Sequence, residues 1–167
     1  SNPCTTYFLV LSATHITNLI LGLLVNYFAD AYGIDLLNYN VPFCRFRFMF
    51  THGSVTLGSW SVVLAGIDRF CISSRNVRRR NFSTLRNARV SVAIAFAVCL
   101  LTYCHVLFLF RIEPTPTSQL CYAPSGPYRV FYEFLFFTAF SFVPPILMII
   151  VGLATFRNIS HVRALIT

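Results

Sequence analysis

From about Pro42 to Ser73 the chain runs through one long apolar segment that closes on Gly66-Ile67-Asp68-Arg69-Phe70. Cys44 and Asp68 are 24 residues apart in it. At about 1.5 Å of rise per helical residue that spacing covers about 36 Å, more than the roughly 30 Å hydrocarbon core of a bilayer. Such a segment has one stable home, a helix across a membrane, because lipid offers no partner to backbone groups left unpaired. Cys44 then stands at one surface and Asp68-Arg69 at the other, with Arg45 and Arg47 emerging at the first end.

Three more runs have crossing length, giving spans over about 7–28, 43–72, 90–110 and 130–156. The expected fold is an all-α membrane protein with four transmembrane helices. Composition agrees: 11% of the residues are charged and 56% are hydrophobic, whereas a soluble domain is about a quarter charged. The lipid bilayer is the first partner. The net charge of +8 is carried by arginine alone.

Where that charge lies orients the chain. Arg75, Arg78, Arg79, Arg80, Arg86 and Arg89 fall between the second and third spans with no acid among them. A short loop of this kind between apolar spans reads as the positive-inside signal rather than as a nucleic-acid patch. It is expected on the cytoplasmic side, with Arg157, His161 and Arg163 returning to that side after the last span. The stretch from Arg111 to Tyr128 is then outside, and its prolines at 114, 116, 124 and 127 around Cys121 break it too often for a helix. Asp30 to Val41 reads as a short loop containing Gly33, and Pro42 suits a helix start.

Single residues inside the spans are read as packing first. His15 and Asn18, three apart, share one face of the first span as interior polar groups. Trp60, deep in the second span, is expected to pack. Pro144-Pro145 should break the last span by removing two backbone donors, and the break should face protein able to satisfy the freed carbonyls. The chain starts at Ser1 with neither an initiator Met nor a signal-peptide pattern, so it reads as a fragment.

Cys44 outside, Asp68-Arg69-Phe70 inside at the matching spacing, Cys121 in a later outer loop, and Phe142-Val143-Pro144-Pro145 in the last span resemble the second to fifth helices of rhodopsin-like G-protein-coupled receptors. There the triplet is Asp-Arg-Tyr and the fifth helix carries Phe-x-x-Pro. Asn2-Pro3-Cys4 and the Phe-rich last span look like invertebrate peptide-receptor members. Three features depart from the family: no acid stands in the first span, where the family has a sodium-binding Asp; the third span lacks a mid-helix Trp; and Gly152 and Leu153 occupy the place of a frequent Tyr.

The resemblance implies four helices of an incomplete seven-helix bundle in the plasma membrane, without the first, sixth and seventh. It implies a Cys44–Cys121 disulfide, worth about 4 kcal/mol in the chain-entropy model. Cys4 and Cys71 would be cytoplasmic, and Cys99 and Cys104 buried in a span. It also implies that Asp68 restrains Arg69 at rest and that activation frees Arg69 to meet a heterotrimeric G protein, Phe70 keeping the ring of the usual Tyr.

Stepping at helical spacing from Cys44 places Arg47, Phe48, Thr51, His52, Val55 and Thr56 on one face. Amine receptors carry an Asp where Thr51 stands, so a cationic amine is not expected. Arg47, Phe48, Thr51 and His52, with Glu133 at the top of the last span, would suit an extracellular peptide or another polar ligand. Interfacial anchoring explains Arg45 and Arg47 equally well.

No Ser-His-Asp or zinc-spaced cluster is present, so neither enzyme activity nor a cofactor or metal is expected. A four-span oxidoreductase would want a Cys-x-x-Cys pair, which is absent, and a four-span adhesion or scaffold protein would not need Asp68-Arg69 at the inner face.

Overall fold

The computed structural model describes residues 3–33, 40–74, 76–114 and 119–163. Ser1-Asn2, most of the loop before Pro42, Arg75 and Pro116 lie outside the described residues. Among the described residues four helices are long and apolar enough to cross a membrane, and the chain is an all-α, multi-pass membrane protein with one small antiparallel strand pair there.

Helix α1 covers Pro3–Tyr32, with a π-helical stretch at Leu19–Leu24. It ends on Gly33, whose φ of 66° supplies the left-handed cap that side chains resist. Asp30, Ala31 and Tyr32, expected in a loop, are its last turn. Helix α2 is Val41–Ser73, started by Asn40, whose side chain accepts from the Phe43 amide, and by Pro42 in the first turn. A single turn, α3 (Val77–Arg80), is capped by Asn76.

Helix α4 begins at Leu85 under a Thr84 cap and runs to Tyr103; after a turn at Cys104–His105 the span resumes over Val106–Leu109. Strands β1 (Arg111–Pro114) and β2 (Gln119–Tyr122) pair antiparallel, Ile112 opposite Cys121. Helix α5 is α-helical over Pro127–Phe136 and Val143–Arg163, with a π-helical stretch at Phe137–Phe142 between. The hairpin fills the segment that sequence reading left as irregular loop.

Helix α2 is the hub, packed against α1, α4 and α5. A third of its most apolar window is buried, against 6% for α1 and α5, so among the described residues the outer helices leave most of their surface uncovered. Gly58 lets α1 close on α2: a Cβ there would stand 2.9 Å from Thr14 Oγ1. At the disulfide end Tyr103, Val106, Phe110, Ala123 and Tyr132 form the buried core; at the arginine end Tyr7, Ala65 and Ala88 do. Between them Thr56 Oγ1 and Tyr103 OH share a buried hydrogen bond of 2.8 Å.

Pro144-Pro145 do not break α5. The helix changes register ahead of them, the Val143 N–H bonding to Thr138 O, five residues back. Continued in that register, the next acceptors are Ala139 and Phe140, and their donors would be the two prolines. Trp60 Nε1 donates to Ala139 O at 3.1 Å, so the freed carbonyl does face protein, and Trp60 is a hydrogen-bond donor as well as a packing group.

Candidate functional site: the two ends of helix α2

At one end of α2 Cys44 is bonded to Cys121 of β2, the Cα atoms 6.1 Å apart. Arg45 Nε supports the same junction by donating to Phe110 O at 2.8 Å, so the end of α4, the hairpin and the start of α2 are tied together. The pocket candidates divide over two faces. Phe48 and His52 stack on each other and meet Phe110 tilted and Tyr122, Tyr132 and Phe136 edge-on, an aromatic cluster between α2, the hairpin and α5.

Arg47 turns the other way, toward α1. Its guanidinium donates to Leu21 O at 2.7 Å, Gly22 O at 3.2 Å and Asn26 Oδ1 at 2.6 Å. The side chain clamps the π-helical stretch of α1, while its guanidinium carbon stands 5.6 Å from the centroid of the Phe48 ring. Thr51 lies toward α1 as well, its Cγ2 3.7 Å from where a Gly22 Cβ would be, and its Oγ1 is buried without a hydrogen-bond partner among the described residues. Glu133 is exposed and paired with Arg129 at 3.1 Å within its own helix. Its charge, after burial itself, helps push the nearby Tyr122 phenol up from its ordinary pKa.

Deeper in α1, Asn18 Nδ2 donates to Ser54 Oγ of α2 and to Thr14 O, both at 2.9 Å. It is the interior polar link expected, whereas His15 stays exposed. Both line a cavity of about 420 Å³ with Ser54, Ser59 and Phe140.

At the other end Asp68 is buried, but it is not the partner of Arg69. Its Oδ1 accepts from Ser83 Oγ at 2.5 Å, across the loop to α4, and its Oδ2 is buried without a hydrogen-bond partner among the described residues. Arg69 Nη2 donates to Cys4 Sγ at 3.5 Å, and among the described residues Arg69 forms no ion pair. The expected Asp68–Arg69 restraint is corrected accordingly: adjacent residues on a helix diverge by about 100°, which sends Asp68 toward the loop and Arg69 toward α1 and α5. Arg69 also lines a cavity of about 330 Å³ with Gly66, Met148, Val151 and Gly152. The Phe70 ring lies under the Arg79 guanidinium, 5.9 Å from its centroid.

Of the remaining cysteines, Cys4 and Cys99 are buried, whereas Cys104, expected to be buried, is exposed at the turn that interrupts the third span. Sequence reading missed Ser83 because its partner lies across the loop; the one local signal was a hydroxyl just before a helix start.

Compared with known proteins, the chain matches no family model, and no curated protein matches it in sequence.

Proposed function

We propose that the chain is the second-to-fifth-helix part of a rhodopsin-like G-protein-coupled receptor. In complete form it binds an extracellular ligand, a peptide or another polar molecule, and activates a heterotrimeric G protein through Asp68 and Arg69 at the plasma membrane. The observation that carries this reading is the pairing of two features at opposite ends of one helix. Cys44 is bonded to the hairpin after α4, and Asp68-Arg69 lie at the far end of the same Val41–Ser73 helix.

Two further features support it. Arg69 has no carboxylate partner among the described residues, so a partner protein meets a guanidinium that needs no ion pair broken first. The cavity that His15, Asn18, Ser54 and Ser59 line sets these polar side chains among mostly apolar walls, a place that additional helices would cover.

The test uses the full-length protein at matched surface expression. Arg69→Lys keeps the charge and loses the planar fork, so trafficking should be normal and nucleotide exchange on the G protein lost. Asp68→Asn weakens the hold on Ser83 rather than an ion pair with Arg69, and through that loop should raise ligand-independent exchange. Unchanged exchange in both variants would reduce Asp68-Arg69 to a topological anchor.

A further inference from the structure

The positive-inside rule explains why arginines gather between α2 and α4, but not their register. Arg78, Arg79 and Arg80 occupy the fifth, fourth and third positions before Ser83, and all three side chains are exposed. The hydroxyl at the end of that run holds Asp68. Its neighbour Thr84 is already committed, as the cap that accepts from the Asn87 amide at the start of α4. Asn81 and Phe82 form a turn and Thr84 is extended, so Ser83 sits in a short non-helical link between α3 and α4.

We propose that Ser83 is a modification site for a serine/threonine kinase with an acidic substrate cleft, and that phosphate there unlatches the loop from Asp68. Guanidiniums at fixed spacing before the acceptor hydroxyl complement such a cleft and bring the serine to the nucleotide. In the transfer, Ser83 Oγ bonds to the γ-phosphorus of ATP and the bond from that phosphorus to the ADP oxygen breaks. The hydroxyl proton passes to the kinase's catalytic carboxylate.

The product cannot keep the present contact. The ester has no O–H to give to Asp68, and a group of about −1.5 to −2 charge stands where a neutral hydroxyl met a carboxylate. The loop must move, and Asp68, whose second oxygen is already unpaired, loses its only hydrogen-bond donor among the described residues. Through that contact a kinase gains control of the acid beside Arg69. The inference rests on the loop being cytoplasmic and does not require the receptor reading.

The experiment incubates the full chain, solubilised in detergent so that both faces are open, with a purified arginine-directed kinase and ATP, and locates phosphate by fragment mass spectrometry. Phosphate on Ser83 is expected, absent in Ser83→Ala and reduced about tenfold in Arg80→Gln, which leaves the acceptor in place. Amide hydrogen exchange over residues 81–85 should rise several-fold in the phosphorylated chain and equally in Ser83→Ala, which lacks the donor. No incorporation in detergent, or incorporation unchanged in Ser83→Ala, would overturn the site. Identical exchange with and without phosphate would overturn the latch. In sealed membrane vesicles the inside-out population should be labelled; labelling of right-side-out vesicles alone would overturn the proposal through the loop's orientation instead.

Discussion

The π-helical stretches of α1 and α5 are both six residues long, and both place backbone carbonyls where the helix no longer serves them fully. They are closed by different chemistry. In α5 the cause is covalent: two prolines follow, and a neutral indole from α2 takes Ala139 O. In α1 no proline stands nearby, and the closing group is the charged, buried Arg47, which also holds Asn26. Where the two prolines remove donors, one neutral donor serves the first of the freed carbonyls, Ala139 O. In α1 the charge itself must be housed, and carbonyl dipoles, an amide oxygen and the face of the Phe48 ring do so, since no carboxylate pairs with it among the described residues.

If that contrast is right, Arg47→Met should be the more damaging change. It takes the donor from Leu21 O and the Asn26 amide oxygen and a second donor from Gly22 O, and thermal unfolding in micelles should show a loss of about 3 kcal/mol. Stability equal to or above that of the parent chain would mean the charge costs more than its contacts return. Trp60→Phe keeps a ring of similar character and removes one donor, so a loss of about 1 kcal/mol is expected by the same measurement. The smallest effect is the sharpest. Pro144→Ala gives the backbone an N–H for Ala139 O, so adding Trp60→Phe to that background should cost less than about 0.5 kcal/mol. A cost undiminished in that background would show that Trp60 acts by packing alone.

The crossing helices were legible because hydropathy is a property of the segment itself, and the Cys44–Cys121 bond because both cysteines stand beside span ends where a known pattern places them. What escaped depends on partners distant in sequence. Pro144-Pro145 announced lost donors, but not that a register change and Trp60 would absorb the loss. Arg47 and Phe48 are adjacent, and one helical step decides that the first serves α1 and the second the aromatic cluster. The Leu19–Leu24 stretch left no mark in an unbroken apolar run, and strands of four residues are too short for alternation to register.

The sulfur bridge has a topological result. It joins residues 77 apart, so α2, α3, α4 and the hairpin lie on one covalent ring, from which α1 and α5 leave as two tails at neighbouring points. A protease that cuts once among the exposed arginines opens the circle without releasing a piece. The two halves of the molecule then travel together until a reductant separates them.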